Sequence, residues 1–196
     1  GGHAALFAAG LASKWTPDLK LRGSAIYAPG SQYKLQAQSL AIPGLPDSLT
    51  ALATMLFRGL STAYPSLKPR QLLTEPVLKF YPDTDKECLD RLAQPDNLGG
   101  IPPKDLIRPD ADRTELYRIL DLQNPAVKSG RPIMLLQGSA DEATPPFLTT
   151  MLNNQLTELG NRVDYRTYED LDHWAIVDDA QPDVLKFFRK QLPSGR

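Results

Sequence analysis

The chain has 196 residues, 22 Lys and Arg against 23 Asp and Glu, a formal net charge of −1, and 41% hydrophobic residues. This is the balance of one globular domain or a large piece of one, and near-neutrality without a basic run argues against nucleic-acid or anionic-membrane partners. No apolar stretch approaches the ~20 residues of a transmembrane helix, and the single cysteine, Cys88, excludes a disulfide framework or Cys-rich metal site.

The 18 prolines are well above an ordinary share and predict interrupted, loop-rich segments. The chain opens on Gly1-Gly2-His3-Ala4-Ala5-Leu6-Phe7-Ala8-Ala9-Gly10-Leu11-Ala12, with neither an initiator Met nor a signal peptide. A stretch so apolar reads as a helix buried all round, of the kind found deep inside a larger body. The sequence is therefore expected to be the C-terminal part of a longer protein. Leu21–Ala28 reads as a strand stopped by Pro29-Gly30.

From Ser31 to Val127 the pattern is helical and broken by prolines. Asp47 or Ser48 can cap a helix whose Leu49, Leu52, Leu56 and Leu60 fall at helical spacing. Shorter helices are expected around Arg70–Phe80, Lys86–Ala93 and Thr114–Leu122.

The last third alternates strand and helix. Pro132–Gln137 is a continuous apolar run of strand length, as expected of a central strand covered on both faces. Thr144 would cap, and Pro145 open, a helix facing inward through Phe147, Leu148, Met151, Leu152, Leu156 and Leu159, with Gly160 ending it. Val163, Tyr165 and Thr167 alternate with polar residues like a half-buried strand nearer the sheet edge. Val184, Leu185, Phe187, Phe188 and Leu192 mark a closing amphipathic helix, flanked and capped by Asp178-Asp179. The expected class is α/β, a parallel sheet built from crossovers.

Parallel strands finish at the same end of a sheet, where open α/β sheets place their sites. The loop 138–145 carries Asp141 and the loop 169–174 carries His173, so one intervening helix delivers both to one edge. A carboxylate beside an imidazole fixes its tautomer and stabilises the imidazolium formed during proton transfer. His173 could instead be an ordinary loop histidine. Asp170, Asp172 and Glu142 compete with Asp141; Asp172 is adjacent to the histidine on an extended loop, where neighbouring side chains rarely meet, and Glu142 is the reserve.

These segments resemble a known family. Gly138-Ser139-Ala140-Asp141 with Thr144-Pro145 is similar to the acid loop of α/β-hydrolases, and Asp172-His173-Trp174 to their histidine loop. Gly1-Gly2-His3-Ala4-Ala5 resembles the second half of their nucleophile elbow, G-x-S-x-G. The resemblance implies hydrolase core at 1–30 and 128–196, with a helical cap or lid at 31–127, most similar to bacterial secretory lipases and esterases. It implies a Ser-His-Asp triad using Asp141 and His173, with the serine two positions before Gly1. The substrate would be an ester with an apolar acyl group, and the needed partner the N-terminal half of the same hydrolase. It implies secretion, and no metal or organic cofactor. A serine peptidase of the prolyl-oligopeptidase type, or a non-catalytic hydrolase-like binding protein, are the alternatives.

The remaining residues have plainer readings. His3 reads as packed or capping, and Cys88 as a lone helix residue. Asp83–Glu87 lacks the glycine and distal glutamate of a calcium loop and reads as a solvated helix start. Trp174 either packs on the imidazole or fills core. Leu45, Leu49, Met55, Leu56, Phe57 and Leu60 could line an acyl pocket, although their helical spacing favours packing of the lid onto the body.

Overall fold

The computed structural model describes residues 1–192. The chain divides into two compact units: residues 1–32 with 123 onward, and Tyr33–Leu122.

The first unit is a parallel sheet between helices. It begins with helix α1 (Gly2–Trp15), followed by β1 (Ser24–Tyr27), β2 (Ile133–Gly138), α8 (Pro146–Glu158), β3 (Val163–Tyr168), α9 (Ala175–Asp179) and α10 (Gln181–Gln191). The order is β1-β2-β3, all parallel, with Ile26 opposite Leu135 and Leu135 opposite Tyr165.

Every residue of β2 is buried, because its alternate side chains feed two cores. Ile133 and Leu135 join Leu6 of α1, Ile26 of β1, and Leu152 and Leu156 of α8. Met134 and Leu136 join Ile176, Ala180 and Phe187 on the other face. The period of two along a strand thus turns one apolar run into both faces of a covered sheet.

Two elements differ from expectation. Helix α1 is not buried all round: Gly2, Leu6 and Ala9 face inward, while Ala4, Ala8, Leu11 and Trp15 form an exposed apolar stripe, with Trp15 75% exposed. Asp178-Asp179 close α9 and do not cap α10, whose first turn instead holds Pro182 and Asp183. Asp183 accepts from Tyr168 Oη at 2.8 Å and pairs with Arg166 at 2.9 Å, tying α10 to β3. Burial first, then this bond, pushes the Tyr168 phenol up to about 12.

The second unit, Tyr33–Leu122, is helical: α2 (Tyr33–Ser39), α3 (Ser48–Ala63), α4 (Pro69–Leu72), α5 (Glu75–Phe80), α6 (Leu89–Leu92) and α7 (Thr114–Leu122), with short 3₁₀ turns between them. Pro69, Pro76, Pro82 and Pro103 each stand in the first two positions of a helical turn. There a missing N–H costs nothing and the fixed φ suits the helix. The prolines therefore start short helices as well as stopping others.

On α3 the buried face is Thr50, Ala51, Thr54 and Phe57, not the leucine stripe; Leu56 is 43% exposed. Thr50 Oγ1 donates to the Ile101 carbonyl at 2.6 Å and Thr54 Oγ1 to the Thr50 carbonyl at 2.7 Å. Threonine can line this face because each hydroxyl finds a backbone acceptor. The core here is the unit's own, with Phe57, Leu72, Leu73, Val77, Leu92, Leu98, Leu116 and Ile119 among its buried members.

Candidate active site

The site lies where β2 and β3 end. Gly138 closes β2, and the next residues are laced to the loop after β3. Ser139 N–H donates to the Tyr168 carbonyl at 2.8 Å, Ala140 N–H to the Leu171 carbonyl at 3.0 Å, and Asp170 N–H to Ser139 Oγ at 2.8 Å. The approach is so close that a Cβ at Gly138 would overlap the Leu171 carbonyl oxygen. Asp170 takes φ 58° to make the turn, a left-handed conformation that Asp tolerates better than most residues.

This lacing brings Asp141 and His173 together: Nδ1 of His173 lies 2.8 Å from Asp141 Oδ2. The carboxylate is fully shielded, whereas the imidazole is 27% exposed. Asp141 Oδ1 accepts from the N–H groups of Ala143 at 2.9 Å and Thr144 at 2.7 Å. Oδ2 accepts from Thr144 Oγ1 at 2.8 Å and Gln137 Nε2 at 3.1 Å besides the imidazole. Burial pushes this carboxyl up, but the bonds from Thr144 and His173 outweigh it and hold Asp141 below the usual carboxylate range.

An ionised carboxylate can only accept, so the proton between the two side chains sits on Nδ1. The Nε2 lone pair is then free, and among the described residues nothing hydrogen-bonds it. The arrangement can take up a proton at Nε2 while the buried carboxylate stabilises the resulting imidazolium.

The competing carboxylates are placed elsewhere. Asp172 Oδ1 accepts from the N–H groups of Trp174 and Ala175, both at 2.8 Å, and shapes the turn; these bonds lower its carboxyl below the usual range. Glu142 is exposed, and Asp170 contributes its N–H to the lacing. Trp174 does not fill core: it is 78% exposed and meets the His173 ring edge-on, centroids 5.3 Å apart at 89°. His3 sits apart, its Nε2 2.9 Å from the Gln123 carbonyl and its ring against Phe7.

Two partners of the acid are not anticipated by the sequence reading. Thr144 is expected to cap α8, but the helix begins at Pro146 with no side-chain cap. Neither Pro145 nor Pro146 has an N–H to offer a cap, and the Thr144 hydroxyl turns back to Asp141 and lies 3.3 Å from His173 Nδ1. Gln137 reads as the tail of an apolar run; the signal available was one amide in a fully buried strand, where every polar atom needs a partner.

The proposed acyl-pocket set does not act as one surface. Phe57 is a core residue of the helical unit and Met55 packs against that core, whereas Leu56 is exposed. Within this unit a cleft of about 400 Å³ is lined by Thr74, Pro76, Gly100, Ile101, Pro102 and Asp105. Cys88 is exposed at the start of α6. In the 83–87 stretch Asp85 pairs with Arg58 at 2.6 Å, and Asp83 accepts from Asn97 at 3.0 Å. Among the described residues no three His, Cys, Asp or Glu side chains gather as a metal-binding group. No helix among them is long and apolar enough to cross a membrane.

Parallel strands covered by helices on both faces, with a carboxylate and an imidazole meeting at their carboxyl ends, define part of an α/β-hydrolase fold. Comparison with known proteins agrees. Residues 104–193 match the prolyl oligopeptidase family, a stretch that includes both loops. A solved Legionella pneumophila structure shares the fold with a TM-score of 0.78 at 19% identity, over 100% of this chain and 56% of its own. Candida antarctica lipase A superposes with a TM-score of 0.75 at 16% identity, over 100% and 48%. The rice cell wall degrading esterase LipA from Xanthomonas oryzae does so with 0.72 at 15% identity, over 98% and 56%. The chain thus spans about half the length of these structures. No curated protein matches it by sequence.

Proposed function

We propose that the chain is the acid- and histidine-bearing part of a serine hydrolase acting on carboxylic esters. The observation that carries this reading is the 2.8 Å contact between His173 Nδ1 and the buried Asp141 Oδ2 at the sheet rim. His173 Nε2 would accept the proton of a serine hydroxyl as its oxygen attacks the ester carbonyl. The same proton would pass to the departing alcohol, and a water would repeat the sequence on the acyl-enzyme. Asp141 holds the tautomer and the imidazolium.

The serine and the oxyanion donors would come from sequence preceding Gly1. Two observations support a further body of protein there. One is the exposed Ala4, Ala8, Leu11 and Trp15 stripe of α1. The other is Gly2, buried so tightly against the end of β1 that a Cβ would overlap the Tyr27 carbonyl oxygen. That packing sets the first turn of α1 beside the strand ends, where a nucleophile elbow would face His173. The helical unit Tyr33–Leu122 would serve as the cap of the hydrolase.

Ester chemistry is preferred because the lipase and esterase structures align with 98–100% of the chain, including its helical unit. The match over 104–193 favours a second reading, a peptidase of the prolyl-oligopeptidase type. The test is the complete protein, including the sequence before Gly1, assayed on p-nitrophenyl esters of graded acyl length and on prolyl peptide substrates. Ester turnover that falls by several orders of magnitude in a folded His173→Ala variant is expected, together with no turnover by the 1–196 polypeptide alone. Ester turnover near the wild-type rate in that variant would remove the assignment, and preferential peptide cleavage would move it to the second reading.

A further inference from the structure

Gln137 is the only polar side chain on β2, and it is fully buried. It continues the face of Ile133 and Leu135, which packs on α8, so an apolar side chain would satisfy the fold at this position. The amide is instead fully engaged. Its Oε1 accepts from Thr149 Oγ1 of α8 at 2.6 Å, and Thr149 is likewise fully buried. Its Nε2 lies 3.1 Å from each of Asp141 Oδ2, the Thr144 carbonyl and the Gly138 carbonyl. The carboxylate and the two carbonyls can only accept, so they fix the NH₂ end of the amide toward Asp141 and leave Oε1 to the Thr149 hydroxyl.

We infer that Gln137 is a positioning residue for the proposed hydrolytic site: a buried relay, Thr149 to Gln137 to Asp141 to His173, locks the carboxylate where it holds the imidazole. Three donors converge on Asp141 Oδ2: Gln137 from the buried strand, and Thr144 and His173 from the two loops. The three share the lone pairs of that oxygen, while two backbone N–H groups hold Oδ1, so the carboxylate is pinned at both ends with Oδ2 turned to His173 Nδ1. The Gln137 amide also ties the Thr144 carbonyl, so one side chain sets both the carboxylate and the loop that bears it. This inference rests on Asp141 and His173 acting as the catalytic pair.

The chain has two histidines, so ¹⁵N spectra of the imidazoles report the His173 tautomer, with a His3→Gln variant supplying the assignment. At a pH where the rings are neutral, wild type is expected to show His173 protonated at Nδ1 and unprotonated at Nε2. Gln137→Met, of similar length but without the amide, should shift His173 toward the tautomer mixture of a free imidazole. Thr149→Val should do so partially, and Thr149→Ser should keep the wild-type spectrum. A role confined to stability would lower the melting temperature and leave the tautomer unchanged. In the complete enzyme the same Gln137→Met change should lower kcat by about 10- to 100-fold with KM little altered, the scale of a small misplacement of a catalytic group.

An unchanged His173 spectrum in folded Gln137→Met overturns the inference. If that variant does not fold, an unchanged spectrum in Thr149→Val overturns it. Asp141→Asn separates the two ideas: a spectrum altered by Asp141→Asn but not by Gln137→Met removes Gln137 alone. A wild-type His173 with no preference for Nδ1–H removes the pair itself, and the inference with it.

Discussion

At the level of single residues, the site is governed by how Asp141 is held rather than by its mere proximity to His173. Five donors surround one shielded carboxylate, and leaving any of these bonds unmade inside the protein typically costs about 1–3 kcal/mol. Thr144→Val removes the hydroxyl while keeping shape and the backbone N–H. It should destabilise the fold by about 1–2 kcal/mol in urea denaturation, and lower kcat in the complete enzyme with KM little changed. Wild-type stability and kcat together would show the hydroxyl to be idle. Acid sensitivity follows from the direction of the Asp141 shift. Its carboxyl is held below the usual range in the folded chain, so the folded state favours the ionised form. That stabilisation is fully present above the ordinary carboxylate value of about 4 and is lost as pH falls through the lower folded value. Asp141→Asn should therefore be less stable than wild type at pH 7. The gap should narrow as the pH drops below about 4, read by urea titrations at both pH values; a pH-independent gap contradicts the shift.

At the level of elements, the two loops meet because Gly138 lets the end of β2 run against the Leu171 carbonyl. Gly138→Ala forces the strands' ends apart. It should abolish the downfield His173 Nδ1 proton signal and lower the melting temperature by several degrees, since 1 kcal/mol corresponds to about 2–4 °C for a chain of this size. Retention of that signal would mean the loops find another route together. Strand β2 was legible because burial on both faces makes Ile133 to Leu136 a continuous apolar run, which announces a central strand without help from any partner. The meeting of Asp141 and His173 was legible for a related reason, since parallel neighbours must end on the same side. Where side chains could satisfy themselves in more than one way, the sequence pattern misled. Helix α3 buries its threonines because backbone acceptors are in reach, so hydrophobic spacing pointed to the wrong face. Thr144 and Asp178-Asp179 carry the chemistry of helix caps, yet the carboxylate of Asp141 outcompetes the helix end for Thr144. Asp183, one turn further along, takes the acidic position at the start of α10. Gln137 was invisible because periodicity scores a residue by its face and not by the partner waiting there.

At the level of the whole molecule, the chain is interrupted between β1 and β2 by a segment that closes its own core. The buried residues of Tyr33–Leu122 form one cluster drawn entirely from within that segment, and those of the sheet unit form two others on either side of β2. A body that buries its apolar surface internally needs no neighbour to supply its hydrophobic driving force. The surface ion pairs of the segment, such as Arg58 with Asp85 and Arg118 with Glu115, are exposed and add little. Its stability must therefore rest on that cluster. The polypeptide Tyr33–Leu122, produced alone, should be helical by circular dichroism and should unfold in one cooperative transition. Ile119, fully buried in the cluster, offers the internal control: Ile119→Ala should remove about 2–5 kcal/mol of stability from the isolated segment. Leu156→Ala, made in the sheet unit of the full chain, should lower stability by a similar amount while leaving the tautomer of His173 in place, because Leu156 packs far down α8 from the loop that bears Asp141. A segment that melts without cooperativity, or an Ile119→Ala change without effect, would mean that this cluster does not sustain a body of its own.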